Sequence, residues 1–281
     1  MKYCGRIKNN YIGSLFRFGY FMNDKNYIRP KKSLGQHFLH DKLVARKIVD
    51  SLTCDNTGKV LEIGPGKGIL TELLVQKNNF KTAVIELDIE CINYLKENLG
   101  RQLAEIIHRD FLKFDLTGFT DKKIALIGNF PYHISGPIFF KLLENRNLIS
   151  EVVCMIQKEV AERICSPPGN KVYGILSVLL QSYFNINYLF TVKPGAFNPP
   201  PKVNSAVIKL IRNENYELNC DERLFFKLVK TAFNQRRKIL RNSIKSIISD
   251  KFDQPILLKR PEQLHYSEFI YLTNLITGFN K

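Results

Sequence analysis

The stretch "GNFPYHIS" (128–135) follows the apolar run "KIALI" and sets four unlike groups side by side: the amide of Asn129, the ring of Phe130, the fixed turn of Pro131 and the phenol of Tyr132. A strand end needs turn residues, and Pro131 alone would meet that need. The set suits a further task. An exocyclic amine on an aromatic ring is a poor nucleophile because its lone pair is delocalised into the ring. Two acceptors on its N–H groups draw the nitrogen toward tetrahedral geometry and localise that pair. The Asn129 side-chain oxygen is one candidate acceptor. The Phe130 carbonyl, held rigid by the Pro131 that follows, is the other. Tyr132 adds a ring on which an extruded base can stack. Positioning then supplies most of the rate, and no strong base is needed, because the alkylated amine sheds its proton readily to water.

A second group of residues concerns what such an amine would attack. Gly64, Gly66 and Gly68 in "EIGPGKG" close a strand and open a helix, where backbone can approach a ligand closely. The P-loop spacing is absent, and the third glycine arrives one residue early for the dinucleotide fingerprint. A tight βα turn could use these glycines for its own geometry. Glu86, 22 residues after Gly64 at the end of "TAVIE", favours a ligand instead, because an acid there accepts hydrogen bonds from both ribose hydroxyls of a nucleoside. Asp110, ending the next strand, can take the amine of an adenine ring. One glycine turn, one ribose acid and one adenine acid describe an adenosine-bearing ligand without pyrophosphate. S-adenosylmethionine fits, and its sulfonium methyl is an electrophile for an activated amine.

The elements that must position these groups alternate. "KSLGQHFLHDKLVARKIVDSL" reads as a loop into an amphipathic helix, with Leu43, Val44, Ile48 and Leu52 on its buried face. Strand, glycine turn and helix follow in "KVLEIGPGKGILTELLVQK", and strand then helix in "KTAVIELDIECINYLKENL". "AEIIHRDFLKFDL" and "KIALIGNFPY" each supply a strand. "SGPIFFKLLEN" reads as a helix with Ser135 as N-cap and Pro137 in its first turn. "EVVCMIQ" is a fifth strand, followed by helix from Lys158. Past a Pro/Gly loop come another helix and two strands, "INYLFTV" and "SAVIKLI", too close together for a helical crossover. The alternation predicts a doubly wound, mostly parallel α/β sheet with an antiparallel edge strand. Beyond residue 212 the pattern is helical only. The expected organisation is a catalytic domain over 29–212 and a small all-helical domain over 213–281.

A length of 281 residues with 44% hydrophobic side chains suits one large domain with a smaller companion. No apolar run approaches a membrane span. The formal charge of +16 favours a polyanionic partner such as nucleic acid. The six cysteines are scattered without a C-x-x-C pair, and the five histidines form no H-E-x-x-H. Neither a disulfide framework nor a metal site is expected, and reduced thiols point to the cytoplasm. Residues 1–28 carry one acid, Asp24, and read as a disordered basic arm or as sequence preceding a start at Met22.

Taken in order, "KKSLGQHFL", "EIGPGKG", "VIELD", "RDFLKFD", "GNFPYHIS", "QKEVAERI", "AFNPPPKVNSAV" and "AFNQRRKILRNSI" resemble the small-subunit rRNA adenine N6,N6-dimethyltransferases of the KsgA (RsmA) type, from about residue 31 to the C-terminus. The resemblance implies a class I, Rossmann-like methyltransferase fold with a small helical C-terminal domain. It also implies S-adenosylmethionine as methyl donor, without a metal. The implied target is two adjacent adenosines in the hairpin near the 3′ end of small-subunit (16S) rRNA, the partner being that RNA or the assembling small subunit. Carried over by position, His37, Leu39, Gly64, Gly66, Glu86, Asp110, Phe111 and Asn129 would hold the donor. Asn129, Phe130, Pro131 and Tyr132 would hold the target amine and base, with Phe197 of "FNPPP" over the base's other face. His37 stands where the family often has Asn, Phe130 where it usually has Leu or Ile, and Asn204 where Asp is more usual. The first change keeps a hydrogen-bonding group and the second involves only a carbonyl, so activity is expected to survive.

In "NQRRKILRNSIKSII", helical spacing would put Arg237, Arg241 and Lys245 on one face beside Leu240, Ile244 and Ile247. A solvated face is the usual explanation of such a run. The charge excess of the whole chain favours RNA phosphate, with Arg236, Arg237, Lys238, Arg241 and Lys245 as contacts. Three other readings stand beside the leading one: a large-subunit (Erm-type) adenine methyltransferase, a non-catalytic nucleic-acid-binding relative, and a DNA adenine methyltransferase. "KVNS" is shared with the Erm relatives, the intact "NFPY" and "EIGPGKG" argue against lost catalysis, and no DNA target-recognition domain is recognisable. No membrane contact is expected, and nothing demands more than a monomer.

Overall fold

A computed structural model of the chain describes residues 28–54, 58–77, 79–120, 122–213 and 217–279. Apart from Ile28, the basic arm expected at 1–28 lies outside them. The elements in chain order are β1 (Phe38–Leu39), α1 (Lys42–Asp50), β2 (Lys59–Ile63), α2 (Ile69–Leu74), β3 (Lys81–Glu86), α3 (Ile89–Leu99), β4 (Glu105–His108) and β5 (Ile124–Asn129). Then come α4 (Ser135–Glu144), β6 (Ile149–Gln157), α5 (Lys158–Cys165), α6 (Ile175–Gln181), β7 (Phe184–Val192), β8 (Phe197–Asn198) and β9 (Ser205–Arg212). Only helices follow: α7 (Glu222–Asn234), α8 (Leu240–Ser243) and α9 (Tyr266–Phe279).

Seven strands form one sheet in the order β4-β3-β2-β5-β6-β9-β7. Pairings from β4 to β6 are parallel, and β9 runs antiparallel to both its neighbours. The antiparallel strand thus sits one place in from the edge that β7 forms. In β5 and β6 nearly every side chain is buried, as expected of strands covered on both faces. One face packs on α1 and α2 through Ala45, Ile48, Leu70 and Leu74. The other packs on α4 and α6, and that core runs on without a break into α7 and α9 through Phe225, Leu228, Phe269 and Leu272.

The strand order reverses between β2 and β5, which leaves a crevice at their carboxyl ends, the customary ligand position in such sheets. Here β2 and β5 come very close. A Cβ on Gly128 would lie 2.4 Å from the Ile63 carbonyl oxygen, so this position has room only for glycine. Away from the crevice, the buried Lys209–Glu151 pair (2.8 Å) ties the end of α1 to the sheet. Lys209 donates to the Ser51 carbonyl, while Glu151 accepts from the main-chain N–H groups of Thr53 and Cys54.

Three local expectations are corrected. Leu43 is 74% exposed, and the buried face of α1 is Ala45, Ile48 and Val49. Asp41 caps that helix by accepting from the N–H groups of Leu43 and Val44, which starts it late enough to turn Leu43 outward. Ser135 is the first residue of α4 rather than its N-cap, and its hydroxyl donates back to the Tyr132 carbonyl. Finally, "NQRRKILRNSIKSII" is not one helix. α7 stops at Asn234, and the Leu240 N–H is drawn to the Lys259 carbonyl (2.8 Å). α8 lasts a single turn, so Arg237, Arg241 and Lys245 do not share a helix face.

Candidate active site

The crevice opens into a cavity of about 280 Å³ at the ends of β2, β3 and β5. Its floor is the glycine turn. Gly66 has φ +56°, and a Cβ there would meet the Phe38 ring at 2.9 Å, so this glycine lets a ring from the N-terminal segment close against the loop. The Gly66 N–H donates to Glu86 Oε2 (3.2 Å), and the N–H groups of Leu87 and Asp88 donate to Oε1 (2.8 and 2.9 Å). Burial pushes the Glu86 carboxyl upward, and these three main-chain bonds oppose it. They occupy three of its roughly four acceptor positions. About one remains, on Oε2, for a ribose hydroxyl, against the two that the sequence reading allots.

Glu62, at the end of β2, also lines the cavity and is 1% exposed. Burial first, and then repulsion from Glu86, push it up to about 8 against the hydrogen bond from Thr71 (2.6 Å). Its carboxyl therefore holds its proton more tightly than an ordinary glutamate. Asp110 accepts the Leu112 N–H on Oδ1, and Oδ2 has no partner among the described residues. Phe111 beside it is 6% exposed and reaches the cavity wall.

At the end of β5 the Asn129 Nδ2 donates to the His37 carbonyl (3.0 Å). That bond orients the amide and leaves Oδ1 without a partner among the described residues. The Phe130 N–H donates to the Met155 carbonyl, and its ring is wholly buried edge-on to Phe139. Its carbonyl receives no hydrogen bond among the described residues. Tyr132 shares a hydrogen bond with Ser205 Oγ (2.6 Å), and burial, opposed by that bond, raises its phenol further above neutrality. The His37 ring stacks on Tyr132 with centroids 5.7 Å apart, and its Nδ1 donates to the Pro199 carbonyl (2.8 Å). Gly64 lies directly across, its Cβ position 4.0 Å from the Asn129 carbonyl oxygen.

The wall formed by Leu34–Leu39 is a strap. Lys31 pairs with Asp88 (2.5 Å) and Glu90 (3.0 Å), and Gln36 donates to the other Asp88 oxygen (2.9 Å). Burial alone would raise Asp88, but the bonds from Lys31 and Gln36 outweigh it and hold this carboxyl below the usual aspartate range. Ile28 and Phe38 pack with Cys91 of α3 beneath it.

Phe197 does not join the cavity. Its backbone pairs with Leu39, which turns its ring into the core at 3% exposure and leaves Asn198 outside. The ring sharing the mouth with Tyr132 is that of His37. Among the five expected RNA contacts, Arg236 lies 3.7 Å from Glu262, and Arg241 is paired with Asp253. Arg237, Lys238 and Lys245 are exposed, with no acidic partner among the described residues. Sequence reasoning missed Asp88, Gln36, Ser205 and Gly128. Asp88 and Gln36 carried a faint signal, one in "VIELD" and the other in "GQHFL".

The pocket fits S-adenosylmethionine: a carboxylate fixed to accept from a ribose, an acid with a free oxygen at the adenine end, and a largely apolar wall for the rest of the donor. Such a pocket on this sheet defines a class I S-adenosylmethionine-dependent methyltransferase, which is an enzyme class. Residues 28–267 match the family model for ribosomal RNA adenine dimethylase, and the chain belongs to that family. It is 53% identical over 254 residues to a ribosomal RNA small subunit methyltransferase A of Cytophaga hutchinsonii, covering 89% of this chain and 98% of the relative. It is 52% identical over 253 residues to the protein of that name from Bacteroides thetaiotaomicron, covering 89% and 94%. Among solved structures, a dimethyladenosine transferase from Plasmodium falciparum superposes with TM-score 0.70 at 26% identity, covering 87% of this chain and 98% of that one. The 23S rRNA methyltransferase ErmE shares the fold, with TM-score 0.64 at 23% identity over 84% and 99% of the two chains. No described helix is long and apolar enough to cross a membrane.

Proposed function

We propose that this enzyme dimethylates the N6 amines of two adjacent adenosines in the hairpin near the 3′ end of small-subunit rRNA, within the assembling small subunit. The observation that carries the reading is the end of β5, where Asn129, its amide oriented by the His37 carbonyl, and Phe130, its carbonyl unengaged among the described residues, line the same cavity as Gly64. S-adenosylmethionine supplies an electrophilic methyl on a sulfonium. Glu86 holds the ribose, Asp110 the adenine amine, and His37, Leu39, Gly64, Gly66 and Phe111 enclose the remainder. Asn129 Oδ1 and the Phe130 carbonyl each accept one N–H of the target amine, which directs its lone pair at the methyl carbon. The N–C bond forms as the C–S bond breaks, and the proton leaves to water. Tyr132 stacks on the extruded base. With one methyl in place only one N–H remains, so a single acceptor serves the second transfer.

Residues 29–212 act as the catalytic unit. Residues 213–281 form a helical unit whose free cations, Arg237, Lys238 and Lys245, meet phosphate. The enzyme works in the cytoplasm as a monomer. Identity of 53% to a small-subunit enzyme against 23% to ErmE favours the small-subunit target over the large. The test is methyl transfer from labelled donor to unmethylated small subunits, naked small-subunit rRNA and large-subunit rRNA, with the product mapped. Dimethyladenosine at two neighbouring positions near the small-subunit 3′ end is expected. Label confined to large-subunit RNA would overturn the reading.

A further inference from the structure

A second cavity, of about 310 Å³, shares no lining residue with the first. It forms where two paired segments separate. Gln157, the last residue of β6, is in register with Ser205 of β9, and the Lys158 N–H donates to the Asn204 carbonyl (3.0 Å). Beyond that bond α5 and the loop 194–204 diverge and leave a hollow between them. Gln157, Lys158, Glu159, Pro194, Lys202, Val203 and Asn204 line it.

The lining matches the parts of one nucleotide. Lys158 and Lys202 bring two cations from separate segments to one hollow, against the single carboxylate of Glu159, and the excess of positive charge suits an anion. The acid facing Lys158 is Glu162, at 3.5 Å on an exposed surface, where an ion pair weighs little. Lys202 has no acidic partner among the described residues. Gln157 and Asn204 carry amides, which both donate and accept, as base edges require. Pro194 and the 39%-exposed Val203 supply apolar surface for a base face. The hollow is also one residue from the target turn, because Ser205, next to Asn204, is the hydroxyl bonded to Tyr132 (2.6 Å).

We propose that this hollow holds the nucleotide adjoining the target adenosine, with its phosphate on Lys158 and Lys202 and its base on the Gln157 and Asn204 amides. The inference rests on the RNA methyltransferase reading and deepens it. An enzyme that modifies two neighbours in turn must keep one in place while the other is extruded, and a built subsite beside Tyr132 does so. It also gives a use to "QKEVAERI" and to the "PPKVN" part of the Pro-rich loop, which donor binding leaves unexplained.

The test uses the full chain and a small-subunit 3′ hairpin carrying 2-aminopurine beside the target position. Its fluorescence reports how that base is stacked, and extrusion of the target changes it in any protein that flips the target, so the subsite is read from the difference between wild type and variant. Addition of wild-type protein is expected to change that fluorescence. The Lys202→Ala/Asn204→Ala double variant, whose changed side chains are exposed, is expected to bind the hairpin about tenfold more weakly. At saturation its fluorescence should differ from that of the wild-type complex, keeping only the change due to target extrusion, while its donor affinity stays as in wild type. Gln157→Ala should lose part of the same signal. The same signal in wild type and double variant, or no signal with wild type, would overturn the subsite. Methyl transfer by the wild type to unmethylated small subunits is scored separately. A neighbour signal without transfer would keep the subsite and sink the catalytic reading. Transfer without a neighbour signal would do the reverse.

Discussion

Asn129 does two things with one amide: Nδ2 spends its bond on the His37 carbonyl so that Oδ1 is turned to the reaction. Asn129→Ala should therefore lower the methylation rate by about 10²–10³-fold, the usual loss for one positioned acceptor or donor, with RNA affinity only modestly reduced. Single-turnover assays check this, and near-normal turnover would remove Asn129 from the mechanism. Glu62 gives a prediction of a different kind. Its folded value near 8 lies above the ordinary 4.5, so the proton is bound more tightly in the folded state. The stability this confers is complete below about 4.5 and is lost as pH climbs through 8. Urea midpoints should fall between pH 6 and 9 in the wild type and fall less in Glu62→Gln. An equal fall in both would mean that Glu62 does not titrate there. At this scale much of the site was legible, because an acid or an amide ending a strand has few structural reasons to be there. Asp88 was not, since its partner Lys31 lies 57 residues earlier and no local pattern links them. The ring of Phe197 was misread because a two-residue pairing with β1, invisible in sequence, turns it inward.

The elements around the site divide into a rigid sheet edge and a strap. The strap is held by the Lys31–Asp88–Gln36 cluster and the Ile28–Phe38–Cys91 contact. Lys31→Ala should weaken donor binding several-fold while leaving RNA binding without donor unchanged, as calorimetric titration would show. Asp88 is held below the usual aspartate range, so its contribution to the folded state is complete above 3.8 and fades as pH falls through its lowered value. The Lys31–Asp88–Gln36 tie should therefore persist unchanged between pH 6 and 8. Any change of donor affinity in that window should come from Glu62 in the same cavity and be absent in Glu62→Gln, and a change that survives Glu62→Gln would mean that the tie itself titrates. The alternating strands and helices were readable because strand burial on both faces writes continuous apolar runs. The stretch 235–248 was not. Its i, i+4 cations imitate a helix, yet Leu240 and Ile244 need only one turn to reach the core, and the Lys259 carbonyl captures the chain at Leu240.

For the whole molecule the charge of +16 sets how RNA is met. Arg237→Ala should reduce the slope of log affinity against log salt by about one, because it removes one phosphate contact. Arg241→Ala should change that slope less, since Asp253 already neutralises its guanidinium. Equal slopes for Arg237→Ala and wild type would exclude this surface from the interface. Fold stability draws on the buried Lys209–Glu151 pair as well as on the core. Lys209→Ala, which strands Glu151, should cost about 3–5 kcal/mol by denaturant unfolding. The helical tail was legible as helical, and its union with the sheet in one unbroken core was not, because that depends on which apolar faces meet.

The contacts of His37 have a kinetic meaning. One residue of the donor-side strap holds the target-side amide through its carbonyl, stacks on Tyr132 through its ring and grips the Pro199 loop through Nδ1. Any movement of the strap at His37 is therefore passed to the Asn129 amide and the Tyr132 ring. The two substrates therefore share an interlock. Donor should bind first and the RNA second, and after each transfer the spent donor should be exchanged only while the RNA is loosely held. Two methyls on one amine would then require the base to be released and recaptured between them, and monomethyladenosine should accumulate before the dimethylated product.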